Sequence, residues 1–248
     1  MQETNRKIFE HRLRQLIFIT VERQGNAEVS FHSGFWQQEE GYKREILKNA
    51  RAELCLDKWN DSCDDKVIVQ KVCNAIYGVT DDNNRLQNLV SKENYVDVLR
   101  AFKEGNEVKK EKRIHEAATL FKALYQKEDA AEADIFDRIA WMLAEAGVYD
   151  AMSVTAYLFF IKNPNKYITV RKNGYRERLP KLGISADCVK TCSWGNYKFL
   201  LKQVEAIRGY LDEYFIGTEL IDAQSFLWLM WLIDNKTPEY DIGKCYLK

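Results

Sequence analysis

Proline is scarce in this chain of 248 residues: Pro164, Pro180 and Pro238 are the whole supply. With few breakers and abundant Ala, Leu, Lys, Glu and Arg, long helices meet little opposition. Histidine is equally sparse, and His11, His32 and His115 lie far apart. The cysteines, at positions 55, 63, 73, 188, 192 and 245, are scattered too. Cys188 and Cys192 have no compact second pair beside them, so the ligand spacing of a structural zinc site is missing and no metal is expected. The thiols read as reduced core residues rather than a disulfide framework. A catalytic Cys–His pair has no support beyond the presence of both residue types.

Long apolar runs are also missing. The longest, Phe226–Ile233, is too short for a bilayer and reads as part of a buried helix. Residues 1–15 carry charges throughout and lack the apolar segment of a secretory signal. These two absences predict a cytoplasmic protein with no membrane segment. A charge excess is absent as well, since 37 basic side chains face 37 acidic ones. Whole-chain charge therefore selects no class of partner, and any nucleic-acid site has to arise from local clustering. No Gly-x-x-x-x-Gly-Lys-Ser/Thr loop occurs, which excludes that type of ATPase, and no cofactor is implied.

What is present describes a folded, mainly α chain. Hydrophobic residues make up 46% and charged residues 30%, enough for a core and a solvated surface. The length suits a single globular domain over 1–248, or two lobes at 1–130 and 131–248. Apolar positions at partly helical spacing predict a helix over 4–23. Alternation of Ile17, Ile19, Val21, Val29 and Phe31 leaves open a hairpin turning at Gln24–Asn26. Residues 39–56 form an amphipathic helix with Tyr42, Ile46, Leu47, Ala50 and Leu54 inside. Asp64 and Asp65 cap the next, which buries Val67, Val69, Val72 and Ile76 and ends at Gly78. A polar loop over 80–88 follows, then helices at 92–104, 107–127, 130–145 and 150–161, with Gly147 as a stop. Asn163-Pro164-Asn165 is a turn, 167–170 is extended, and a basic helix runs over 173–181. Helices at 194–214 and 219–234 close an all-α bundle.

The stretch from Asp134 to Ile184 reads helix, glycine-containing hairpin, helix, short extended turn, basic helix. It resembles the core of the helix-hairpin-helix DNA glycosylase superfamily, whose hairpin runs Leu-Pro-Gly-Val-Gly-x-x-Thr-Ala. Here the matching run is Leu143-Ala144-Glu145-Ala146-Gly147-Val148-Tyr149-Asp150-Ala151-Met152-Ser153. Gly147-Val148 keeps the first Gly-Val, Tyr149 replaces the second glycine and Met152 the threonine. The resemblance implies a helix-hairpin-helix-like core whose hairpin amides bind a DNA phosphate. Tyr167-Ile168-Thr169-Val170-Arg171-Lys172-Asn173 takes the place of the segment that carries the family's catalytic aspartate, and Arg176 that of its following arginine. Arg171 stands where that aspartate would be, so a catalytic acid has to come from elsewhere.

A second resemblance covers more of the chain. It rests on Phe35-Trp36, Tyr42-Lys43, Asn163-Pro164-Asn165-Lys166-Tyr167, Leu182-Gly183-Ile184, Asn196-Tyr197, Leu200-Leu201 and Ile221-Asp222-Ala223-Gln224-Ser225-Phe226-Leu227-Trp228. This pattern is similar to a domain accompanying McrB-type restriction ATPases, systems that attack DNA carrying modified cytosine. Both resemblances imply double-stranded DNA as partner, and the second implies modified DNA. The leading expectation is a glycosylase that flips and excises a modified base, such as modified cytosine in phage DNA, as antiviral defence. The alternatives are a non-catalytic reader that recruits a partner nuclease or ATPase, and a protein-interaction module.

The candidate residues follow from that chemistry. A glycosylase needs a carboxylate or polarising amide to stabilise an oxocarbenium-like state and activate water, and Glu39, Glu45 and Asp222 are the candidates. Asp222 also suits a helix cap. Lys43 is a candidate Schiff-base amine or phosphate ligand, or simply an exposed lysine. Trp36 and Tyr42 suit either stacking on an extruded base or core packing. The run from Arg171 to Lys181 holds five basic residues against one acid, placing Arg171, Lys172, Asn173, Tyr175 and Arg176 together with Gly147 as candidate DNA contacts, or else as a solvated face. Asn173 is suited to a base edge, a water or a cap. Residues 109–113 read as an exposed helix face, and Trp228 and Trp231 as core.

Overall fold

A computed structural model of the chain describes residues 3–25, 29–60, 62–77, 89–90, 92–104, 106–126, 131–187 and 191–236. Among these residues there are eleven α-helices and no strand. The helices are α1 (Glu3–Gln24), α2 (Gly34–Glu40), α3 (Tyr42–Leu54), α4 (Asp65–Tyr77), α5 (Lys92–Lys103), α6 (Glu107–Gln126), α7 (Glu132–Glu145), α8 (Ala151–Lys162), α9 (Lys172–Arg178), α10 (Trp194–Leu211) and α11 (Leu220–Lys236). Helix α1 runs through Gln24, so Leu16–Gln24 is not one arm of a hairpin. The expected helix over 39–56 is interrupted at Gly41, which separates α2 from α3. Gly78, the stretch 80–88, Asn26 and Cys188 lie outside the described residues. No helix among the described residues is long and apolar enough to cross a membrane.

The chain divides into two compact units that interleave in sequence. The first comprises 1–42, 172–189 and 199–248, and the second comprises 43–171 and 190–198. Position 130 is not the boundary, because α6 and α7, on either side of it, pack together in the second unit.

In the first unit, α11 packs against α1, α2 and α9. Phe9, Leu13, Leu16 and Thr20 recur at three- and four-residue spacing on α1 and are all buried. Phe9 meets Phe226 of α11 and Tyr210 of α10 at ring-centroid distances of 5.1 and 5.4 Å.

In the second unit, α4 packs on α5 and α6, and α8 packs on α5, α6 and α7. Every residue of α8 from Ala151 to Ile161 is buried, the pattern of a central helix covered on all sides. Its last carbonyls, on Ile161 and Lys162, accept from the Arg51 guanidinium at 2.8 and 3.0 Å, so a cation sits on the negative end of the helix. The five residues expected on the inner face of α3 are buried, and so are Val69, Val72 and Ile76 of α4. Val67 is the exception, 46% exposed. On an α-helix Val67 lies roughly 200° around from Val69, so the face that turns 69, 72 and 76 inward leaves Val67 outside.

Candidate nucleic-acid interface

The hairpin after α7 is built as a helix stop. Gly147 has φ +86°, its N–H donates to the Ala144 carbonyl at 2.9 Å, and the Val148 N–H reaches back to the Leu143 carbonyl at 3.0 Å. These are the two reversed bonds of a Schellman ending, which favours glycine at that left-handed position. A Cβ on Gly147 would meet nothing within 4 Å, so the requirement is one of conformation and not of space. Helix α8 then starts on Asp150, whose Oδ1 accepts from the Ser153 N–H at 3.3 Å and whose Oδ2 accepts from the Ser153 hydroxyl at 2.5 Å. The Asp150 N–H donates to Asn94 Oδ1 at 2.9 Å. A carboxylate therefore already occupies the helix end at which a hairpin of the glycosylase type would hold phosphate, and it repels a second anion.

Among the described residues the extended stretch 167–170 has no strand to pair with. The buried Tyr197 hydroxyl takes the place of one, accepting from the Ile168 N–H at 2.9 Å and donating to the Ile168 carbonyl at 3.0 Å. Tyr167 and Lys166 both donate to Glu132. Burial works to raise the Glu132 carboxyl, but the hydrogen bonds from Lys166 and Tyr167 outweigh it and hold the group below the ordinary carboxylate range. This clamp delivers the chain to Arg171, the last residue of this segment of the second unit, which is half-buried.

Helix α9 opens the next segment of the first unit. At helical spacing Lys172 and Arg176 are four apart, and Asn173 and Arg176 three apart, so the three share a face. Asn173 and Arg176 are exposed, and Lys172 is half-buried. Among the described residues Arg176 makes no side-chain hydrogen bond or ion pair.

The opposite face of α9 is fixed to α11. Tyr175 is buried, and its hydroxyl accepts from Gln224 Nε2 at 2.9 Å. Burial pushes that phenol well above its ordinary value. The Arg178 guanidinium lies 4.8 Å from the Trp228 ring and 5.6 Å from the Trp231 ring, while the two indoles stack at 4.9 Å. Three nearly equal distances place the cation against both rings at once, not at the end of a column. Gly174 makes room for it, since a Cβ there would sit 3.1 Å from the guanidinium. Desolvation lowers the Arg178 pKa, against the fields of Tyr175, Glu40, Glu177 and Tyr42. Trp228 and Trp231 are thus half-buried and stacked under a cation, and not the core residues that their apolar neighbours suggest. Lys181, beyond α9, is held by Asp234 at 2.7 Å, and the same carboxylate takes both ends of the Arg12 fork at 2.9 Å.

The basic run is therefore smaller in space than in sequence. Arg178 points inward and Lys181 is neutralised, which leaves Arg176 and Asn173 exposed on α9, with the half-buried Lys172 beside them.

Of the other candidates, Trp36, Tyr42, Lys43 and Asp222 are buried and Glu45 is exposed. Trp36 is 1% exposed, its indole N–H donates to Thr20 Oγ1 at 3.1 Å, and its ring packs on Phe31 and Phe215. Tyr42 is also buried. Asp222, 1% exposed, accepts from the Glu219 N–H at 2.9 Å, as the third residue of a helix reaches back to its cap. His32 Nε2 stands 3.7 Å from the same carboxylate. In the second unit Glu45 is exposed in the first turn of α3, and Lys43 is buried in it. The buried Glu40 and Gln224 and the half-buried Arg178 are polar side chains of the first unit that sequence reading did not single out. The one available hint was a glycine four residues before an arginine, Gly174 and Arg178. Among the described residues no group of three or more His, Cys, Asp or Glu is placed to hold a metal. No family model, curated protein or solved structure matches the chain.

Proposed function

We propose that this chain binds duplex DNA as a non-catalytic reader, with the outer face of α9 laid on the phosphate backbone. The observation that carries the reading is the one-sided presentation of Lys172, Asn173 and Arg176, with Arg176 exposed and making no ion pair among the described residues. A short helix anchored from behind by Tyr175 and Arg178 holds its contact residues at fixed spacing, as backbone-tracking contacts require.

The reader is favoured over the glycosylase by the occupations of the acids and aromatics. Asp222 caps α11, Glu45 is exposed on α3, and Trp36 is packed between phenylalanines, so none of them combines a carboxylate with an open stacking face. In this reading any cleavage belongs to a partner nuclease or ATPase, and the DNA is modified DNA, as the second resemblance implies. The test is incubation of the chain with unmodified and cytosine-modified duplexes, measured first by gel shift and then by mild alkali. Selective binding without alkali-labile breaks is the expected result. Breaks at modified positions would restore the glycosylase, and equal failure to bind either duplex would end the DNA reading.

A further inference from the structure

A groove of about 340 Å³ opens between α4, α5 and α6 of the second unit. Its floor is apolar: Val69 and Cys73 from α4, Phe102 from α5 and Ile114 from α6. Burial pushes the Cys73 thiol up to about 12, so at neutral pH it is an uncharged, weakly polar part of that floor and not a nucleophile. The charged residues that line the groove are all lysines, Lys66, Lys103 and Lys110. Lys66 lies 3.8 Å from Glu111, and Lys110 is bonded to Glu107, so two of the three are partly balanced from outside the groove. Lys103 is exposed in the last turn of α5 and makes no ion pair among the described residues.

An apolar floor under a cationic rim complements a ligand with one greasy end and one negative end. At roughly 30 Å³ per water-sized volume, the space suits on the order of ten non-hydrogen atoms. We propose that this groove binds a small amphipathic carboxylate, its apolar part on Val69, Cys73, Phe102 and Ile114 and its carboxylate on Lys103. The site stands independently of the DNA reading, because no residue of α9 takes part in it.

Octanoate is the probe of matching size, with 1-octanol and acetate as its two halves. In calorimetric titration of the full chain, octanoate should bind saturably, and the alcohol and acetate each at least several-fold more weakly. Lys103→Met should weaken octanoate by about three- to fivefold, the scale of one partly screened ion pair, and leave octanol unchanged. Location is read separately: Lys112→Met, which removes an exposed lysine of α6 that does not line the groove, should leave octanoate affinity unaltered. Four outcomes overturn the proposal. They are absence of saturable octanoate binding, octanol binding as tightly as octanoate, an unaltered affinity in Lys103→Met, and a loss of affinity in Lys112→Met as large as that in Lys103→Met.

Discussion

The double substitution Lys172→Ala and Arg176→Ala tests the proposed interface by a number rather than by a loss of function. Each phosphate neutralised by a cation adds about 0.9 to the slope of log K against log salt, through the counterions it releases. The run 171–181 contains five basic residues, and if all of them faced DNA, their removal would flatten the slope by more than 4. The structure reduces that expectation. Arg178 lies against Trp228 and Trp231, Lys181 is bound to Asp234, and Arg171 is half-buried at the end of the clamped segment. Arg176 is exposed and Lys172 half-buried on α9, so the double variant should flatten the slope by about 0.9 to 1.8, which corresponds to roughly three- to tenfold in the salt sensitivity between 50 and 200 mM. The assay is fluorescence anisotropy with a labelled duplex over a salt series, on both proteins. Lys181→Ala is the internal control. It should leave the slope unaltered, since its ammonium already has a carboxylate at 2.7 Å. A slope unchanged in the double variant, or one that falls as much in Lys181→Ala, would refute the assignment of the outer face of α9.

Tyr197→Phe should lower stability by roughly 2–4 kcal/mol, because one hydroxyl serves both the N–H and the carbonyl of the buried Ile168; the midpoint of chemical denaturation measures it, and a shift under 0.5 kcal/mol would contradict the bridge. Gly147→Ala should be destabilising by about 1–2 kcal/mol through its positive φ alone, with no loss of packing, and a neutral thermal melt would mean that the turn relaxes. Glu132 is held below the ordinary carboxylate range, so its contribution is present above the unfolded-state pKa and disappears as pH falls through the folded one. Glu132→Gln should accordingly be less stable than the parent at neutral pH and show a smaller further loss on acidification, as followed by denaturation at a series of pH values. Asp222→Asn should lower the melting temperature by an amount equivalent to about 1 kcal/mol and leave the salt slope of DNA binding alone. A large binding defect at full stability would instead return Asp222 to the site.

Much of the helical architecture is legible in the amino-acid sequence, because the forces that make a helix act between near neighbours. The three- and four-residue spacing of Ile46, Leu47, Ala50 and Leu54 gives α3 its buried face. The end of α7 at Gly147 and the start of α8 on Asp150 follow from backbone geometry and a side-chain oxygen that reaches three residues along. The turn at Asn163-Pro164-Asn165 belongs to the same class of local effect. Tertiary structure alone decided which charges remain outside. Lys181 and Arg12 are spent on Asp234, 53 and 222 residues away, and Arg178 is drawn over indoles 50 and 53 residues further on. It also decided that Trp36 hydrogen-bonds Thr20 within a cluster of phenylalanines, and that Ile168 finds its partner in Tyr197. The two interleaved units lie beyond periodicity for the same reason. A charge or an unpaired amide takes its partner from whatever the fold brings within about 3 Å, and nothing in the spacing of neighbours encodes that partner.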